Sequence, residues 1–258
     1  MEINKIYNEN CLNTMSRMKD SFIALTVTSP PYDNLRTYNG YSFDFESIAK
    51  ELYRVTKEGG VVVWIVGDAT IKGSETGTSF KQALFFMECG FKLHDTMIWN
   101  KCGFTAVGTL KTRYASVFEY MFIFTKGKLK TFNPIKDRKN KHFGDTRKSH
   151  LIRQKDGTQK RCTGYTIKEY GQRFNIWEIP PAKIRNQKHP AVFPEQLAND
   201  HIISWSNEGD LVYDCFMGSG TTAKMSIANK RNYIGSEMSA EYCDIIKQRL
   251  NAQQKELF

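Results

Sequence analysis

Val61 to Val66 is an unbroken run of Val, Trp and Ile. β-branched and aromatic residues favour strands, and a strand without polar alternation must be covered on both faces. This condition disfavours a one-sided antiparallel sheet and points to a parallel sheet between layers of helix. The rest of the chain agrees. Phe22 to Val27 is a second such run, and Ile3–Tyr7, Leu93–Trp99, Val117–Thr125, Leu211–Asp214 and Asn232–Ser236 read as further strands. Helical repeats fall between them. Phe45, Ile48, Ala49, Leu52 and Tyr53 follow a capping Asp44, and Gly59-Gly60 is expected to stop that helix. Phe80, Ala83, Leu84 and Met87 are expected to form the inner face of a helix from Ser79 to Cys89, and Ala240 to Leu257 reads as a closing amphipathic helix. Strand and helix alternate, the signature of a doubly wound α/β fold with a mostly parallel sheet.

Two strand ends carry unusual residues. Behind the Phe22 run comes Thr28-Ser29-Pro30-Pro31-Tyr32. Proline fixes φ, lacks an N–H and forces its predecessor into extended geometry. The segment is therefore a stiff exit from a strand, with carbonyls and a hydroxyl beside an aromatic face. Such equipment suits a flat heterocycle bearing an amino group, although a plain Pro-rich turn has the same composition. Far downstream, Asp214-Cys215-Phe216-Met217-Gly218-Ser219-Gly220-Thr221-Thr222 is a strand, glycine loop and helix start. Glycines let backbone approach a ligand, and a helix N-terminus offers N–H groups to an anion. Glu237, at the end of the next strand, is placed to accept hydrogen bonds from a ribose. Any adenosine-containing cofactor fits this pattern, the dinucleotide fingerprint included, but only 21 residues follow Glu237. A P-loop is excluded because no Gly-Lys-Ser/Thr follows the glycines.

Charge separates the two motifs. Residues 126–188 hold 18 Lys and Arg against 5 Asp and Glu, whereas the rest of the chain holds 19 against 22. A basic segment of this length with interleaved Phe, Tyr and Trp reads as a footprint for a phosphate backbone. Periodicity is poor there, and the short strands at Thr166–Tyr170 and Phe174–Ile179 look isolated. The division expected is 1–125 and 189–258 as two halves of one domain, with 126–188 as a recognition insertion. The six cysteines include no Cys-x-x-Cys pair, which argues against zinc and for reduced thiols. No apolar run approaches the ~20 residues of a membrane helix, and no secretory pattern opens the chain, so a cytoplasmic location is expected.

Taken together, the two motifs resemble the S-adenosylmethionine-dependent DNA amino-methyltransferases acting on cytosine N4 or adenine N6. The order is that of the permuted β group, with the Ser-Pro-Pro-Tyr motif first, the recognition region next and the cofactor loop last. The resemblance implies a Rossmann-like methyltransferase sheet, double-stranded DNA as partner and base flipping. It implies catalytic roles for Ser29, Pro30, Pro31 and Tyr32. It implies cofactor contacts from Thr28, Asp214, Phe216, Met217, Gly218, Ser219, Gly220, Thr221, Thr222 and Glu237. The stretch His189 to Pro194 matches the segment before the family's cofactor loop, so that His189, Pro190 and Phe193 join this set. Asn10 and Cys11 match a Gly-Asp-Cys turn whose Asp binds the cofactor's adenine; Asn here carries no charge. A homodimer and a cognate restriction endonuclease are further partners known in the family. A C5-cytosine mechanism is disfavoured, since no Pro-Cys occurs. Ser at position 29 resembles the cytosine-N4 enzymes more than the adenine-N6 ones, and cytosine N4 is the expected target. The alternatives are adenine N6 and, more remotely, a non-catalytic nucleic-acid-binding protein or a nicotinamide oxidoreductase.

Overall fold

The computed structural model describes residues 1–31, 43–103, 111–182 and 194–256, with side chains to 253. Among the described residues eight strands form one sheet. In chain order they are β1 (Lys5–Tyr7), β2 (Ile23–Thr28), β3 (Thr56–Val66), β6 (Lys92–Asn100), β7 (Phe118–Thr125), β14 (Ile176–Glu178), β15 (Leu211–Asp214) and β16 (Asn232–Ser236). A hairpin of β4 (Thr70–Ile71) and β5 (Ser74–Glu75) lies outside this sheet. The order across the sheet is β1-β16-β15-β2-β3-β7-β6-β14. β7 pairs antiparallel with both β3 and β6, and the remaining pairings are parallel, so β7 alone runs against the others.

Helices cover both faces, as the unbroken apolar strands require. On one face α1 (Cys11–Ser16), α2 (Phe45–Val55) and α3 (Thr78–Glu88) bring Met15, Leu52 and Phe86 onto Val62, Trp64, Phe124 and Tyr213. On the other, α4 (Glu195–Trp205) sets Leu197, Ala198 and Ile202 against Leu25, Val27, Val63, Ile123 and Val212. Behind it, α5 (Thr221–Ala228) and α6 (Ala240–Glu256) close a smaller cluster of Met217, Ala223, Tyr233, Ile246 and Leu250. Among the described residues no helix is long and apolar enough to cross a membrane.

Three details depart from the sequence reading. Gly59-Gly60 does not stop α2. The helix ends at Val55 and the glycines lie inside β3, where the register against β2 shifts between Ile23 and Leu25. Gly59 has φ +80° and a Cβ there would meet the Lys130 side chain at 2.4 Å, so this irregular turn of strand requires glycine. Second, α3 buries Ser79, Gln82, Ala83 and Phe86, leaving Phe80, Leu84 and Met87 exposed. Polar anchors set this phase. Gln82 Oε1 accepts from the buried Trp64 indole at 2.8 Å, and Asp68 accepts from the Ser79 backbone N–H and hydroxyl. Third, the strand expected within Phe174–Ile179 is not isolated. β14 joins the main sheet beside β6, with Trp177 and Ile179 in the core.

Residues Pro134–Phe174 form a compact unit of their own. Three antiparallel pairs follow one another along it: β8 (Arg138–Lys139) with β13 (Tyr170–Gly171), β9 (Thr146–Arg147) with β12 (Tyr165–Thr166), and β10 (His150–Arg153) with β11 (Gln159–Cys162). The nesting is that of a single long, interrupted β-ribbon. The expected strand over Thr166–Tyr170 is therefore two short ones.

Candidate active site

β2 and β15 are parallel neighbours, with Val212 opposite Leu25 and Tyr213 opposite Thr26. Both motifs thus leave the sheet side by side at its carboxyl edge, where open α/β sheets place their ligands. A hydrogen bond joins them. The Thr28 hydroxyl donates to Asp214 Oδ1 at 2.6 Å, across 186 residues of sequence. Asp214 also accepts from the Phe216 backbone N–H at 3.0 Å and, through Oδ2, from the Thr222 hydroxyl at 2.7 Å. Its carboxylate is buried and all three partners belong to the protein. Burial pushes its pKa above the usual carboxylate value, against the hydrogen bonds from Thr28, Thr222 and Phe216. Asp214 therefore braces the strand end and the loop.

The loop itself turns on Gly218 (φ +54°) and Gly220 (φ +83°), a region that L side chains rarely enter. The Gly220 N–H donates to the Met217 carbonyl at 2.8 Å, closing the turn. Gly218 N–H donates to Glu237 Oε2 at 2.8 Å, and Ser239 N–H to Oε1 at 2.8 Å. The Met238 N–H also bonds this carboxylate, whose two oxygens together have capacity for more than three donors. Asn10 caps α1, its Oδ1 accepting from Leu12 N–H at 2.9 Å. The Asn10 side-chain amide group remains as the donor that an adenine edge could use.

Burial sorts the candidate residues. Asn10, Ser29, Pro31, Phe216, Gly218 and Glu237 keep partial exposure. Cys11, Thr28, Pro30, Asp214, Met217, Ser219, Gly220, Thr221 and Thr222 are buried. Met217 points into the α6 cluster, and Phe216 packs edge-on to Phe43 and Trp64. Cys11 is no nucleophile, since burial pushes its thiol up to about 12, and Cys215 is raised in the same way. Tyr32, His189, Pro190 and Phe193 lie outside the described residues.

One group of residues escaped the sequence reading. Arg249 on α6 donates to the Ser219 carbonyl at 2.5 Å, to the Ser219 hydroxyl at 2.9 Å and to Glu195 Oε1 at 3.0 Å. Lys224 donates to the same Glu195 oxygen at 2.6 Å. Burial opposes ionisation of Glu195, but Lys224 and Arg249 together hold its pKa below the usual value. The one available signal was a basic residue three positions after Ile246 on an amphipathic helix.

Glu237 yields a pH prediction. Burial raises its pKa above the ordinary 4.5, against the N–H groups of Ser239 and Gly218. For a raised pKa, the stability contribution is fully present below the unfolded value and is lost as pH rises through the folded one. Glu237→Gln cannot ionise. Its stability relative to wild type is expected to improve as pH rises from the ordinary 4.5 through the folded value in urea unfolding. A difference that stays constant over that range would mean that Glu237 titrates normally.

The family profile described as DNA methylase (N6_N4) matches residues 23–248. The chain is 60% identical over 241 residues to the orphan methyltransferase M.BamHII of Bacillus amyloliquefaciens, covering 90% of this chain and 89% of that protein. The solved structure of PvuII DNA methyltransferase (cytosine-N4-specific) superposes with a TM-score of 0.67 at 21% identity, covering 92% of this chain and 83% of that one. The M1.HpyAVI–SAM complex superposes with a TM-score of 0.62 at 22% identity, covering 95% and 98%. These two structures share the same fold.

Proposed function

The chain belongs to the N6_N4 family of DNA methylases, and from that premise we propose that it transfers a methyl group from S-adenosylmethionine to the exocyclic amine of a flipped base in double-stranded DNA, cytosine N4 ahead of adenine N6. One observation carries the reading. The Ser29-Pro30-Pro31 exit and the glycine loop leave adjacent parallel strands at one edge, joined through Thr28 and Asp214.

The residues suit both substrates. Glu237 offers a partly exposed carboxylate to ribose hydroxyls, the glycine loop offers backbone at close range, and Asn10 offers an amide to the adenine. S-adenosylmethionine, when bound, supplies an electrophilic methyl group. An exocyclic amine is a poor nucleophile because its lone pair is delocalised into the ring. The Ser29 hydroxyl and the Pro30 carbonyl accept its hydrogens and turn the nitrogen lone pair toward that methyl. Tyr32 stacks on the base. This is positioning and electrostatic work with no covalent intermediate. Both amines can use these acceptors; Ser at position 29 resembles the cytosine-N4 enzymes, and that resemblance favours cytosine.

The ribbon of Pro134–Phe174 supports the DNA partner. It holds 12 Lys and Arg against 4 Asp and Glu, and its exposed apolar residues include Phe143, Leu151, Tyr165 and Phe174. A two-stranded ribbon fits the major groove, where base edges are read. Reversing the exposed charges of Arg147, Lys160 and Arg161 to Glu is expected to weaken DNA binding. It should also flatten the slope of log K against log salt by up to about 3, at ~0.9 per lost phosphate contact. An unchanged slope would place the footprint elsewhere.

Duplex DNA incubated with labelled S-adenosylmethionine, then digested for nucleoside mass spectrometry, tests the whole reading. N4-methylcytosine is expected. N6-methyladenine would move the target to the alternative base, and DNA binding with no label incorporated would leave a non-catalytic binder. The relation to a protein named an orphan methyltransferase favours action without a cognate endonuclease. Sedimentation of the purified chain decides whether it works as a homodimer.

A further inference from the structure

We propose that Arg249, on the closing helix, is a positioning residue that fixes the cofactor loop in its binding shape and thereby sets affinity for S-adenosylmethionine. The inference rests on the reading of the Asp214–Thr222 loop as the cofactor cradle. Gly218 and Gly220 give that loop the backbone freedom it needs to turn, and the same freedom lets it wander. Ser219 sits between them, and its peptide link to Gly220 is held from both sides. The Gly220 N–H is bonded to the Met217 carbonyl at 2.8 Å, while the opposite end, the Ser219 carbonyl, accepts from Arg249 at 2.5 Å. A planar trans peptide pinned at both ends has no rotation left. The Ser219 hydroxyl, 2.9 Å from the same guanidinium nitrogen, adds a further tie.

The guanidinium is itself anchored. Its other terminal nitrogen donates to Glu195 at the start of α4, and Lys224 on α5 holds that carboxylate in place. A second contact from the same helix face acts in the same sense. A Cβ on Gly220 would lie 2.8 Å from the Ile246 side chain, so α6 packs directly on the loop one turn before Arg249. Ile246 fixes where the loop can be, and Arg249 fixes which way its peptide faces. Lysine could not replace this fork fully, because an ammonium is a point donor rather than a rigid bidentate one.

The test measures S-adenosylhomocysteine binding by calorimetry, and methylation kinetics, on the full-length chain. Wild type is compared with Arg249→Met and Arg249→Lys. Expected for Arg249→Met is a rise of about tenfold in Kd and in KM for S-adenosylmethionine, one decade in the affinity scale. kcat at saturating cofactor should change less than about twofold, because a correctly seated cofactor reacts normally. DNA affinity without cofactor should stay the same, and Arg249→Lys should recover part of the loss. If wild type fails to bind S-adenosylhomocysteine, the cofactor assignment falls. If wild type binds and Arg249→Met binds equally well, the role of Arg249 falls and the assignment stands. A parallel decline of kcat, DNA binding and melting temperature would also overturn the proposal, since it marks a purely structural arginine. Should Arg249→Met not fold, hydrogen exchange in Arg249→Lys decides. Faster exchange confined to the amides of 218–221 is the expected result, and wild-type protection there would refute it.

Discussion

Asp214→Ala is expected to be the most destabilising single substitution near the site. The side chain accepts from Thr28 Oγ1, Phe216 N and Thr222 Oγ1, in a pocket closed to solvent. Truncation strands two buried hydroxyls and one part-buried N–H, with a cost of about 1–3 kcal/mol for each buried donor left unsatisfied. Part of this is returned. Burial already disfavours the ionised carboxylate, and the Thr222 hydroxyl has a second acceptor in the Val27 carbonyl at 3.4 Å. A net loss of roughly 3–5 kcal/mol remains, a large share of a typical domain's 5–15 kcal/mol. Asp214→Asn should be far milder. Its oxygen still accepts from Thr28 and Phe216, and Thr222 can turn to accept from the new amide. Since the Asp214 pKa is raised, the stability of Asn relative to Asp should improve as pH rises through the folded pKa. Urea midpoints of the three proteins check this. Equal midpoints for Ala and wild type would show that the bonded brace contributes nothing.

That brace also shows what the chain discloses in one dimension. The apolar runs Phe22–Val27 and Val61–Val66 needed cover on both faces, and this requirement was enough to reach a helix-covered parallel sheet. The motifs at 29–32 and 214–222 were legible because proline and glycine announce backbone geometry directly. Their adjacency follows from the strand order, which residue patterns state less openly. The face of α3 was misread because hydrophobicity suggested Phe80, Leu84 and Met87. Asp68 and Trp64 selected the polar Ser79 and Gln82 instead, a choice made by partners 11 and 18 residues away. β14 was read as isolated because three residues carry no periodicity, and only β6 beside them makes them a strand. Arg249 left almost no trace, since its partners Ser219 and Glu195 lie 30 and 54 residues distant. Long-range polar contacts of this kind are written in geometry rather than in local spacing.

Ser29→Ala should separate chemistry from binding. Thr28 and Ser29 are consecutive, yet they face different tasks. Thr28 is turned inward to Asp214, on the side of the cofactor loop. Ser29 is partly exposed at the edge where the strand becomes Pro30-Pro31. If its hydroxyl accepts a hydrogen of the target amine, its removal withdraws one of two acceptors that aim the nitrogen lone pair. Losing one preorganised polar contact to a reacting group lowers kcat by about 10²–10³ in comparable cases. The remaining acceptor, the Pro30 carbonyl, belongs to the backbone and survives the substitution, so activity should be weak rather than absent. S-adenosylhomocysteine affinity should stay within about twofold, because the loop, Asp214 and Glu237 are untouched. Thr28→Val should give the opposite pattern: it removes a donor to Asp214, loosens the loop and raises KM for the cofactor more than it lowers kcat. Single-turnover methylation with saturating cofactor, alongside calorimetric binding, distinguishes the two. If Ser29→Ala instead loses cofactor affinity and keeps its single-turnover rate, the hydroxyl faces the cofactor, and the acceptor for the amine must be sought elsewhere along the same edge.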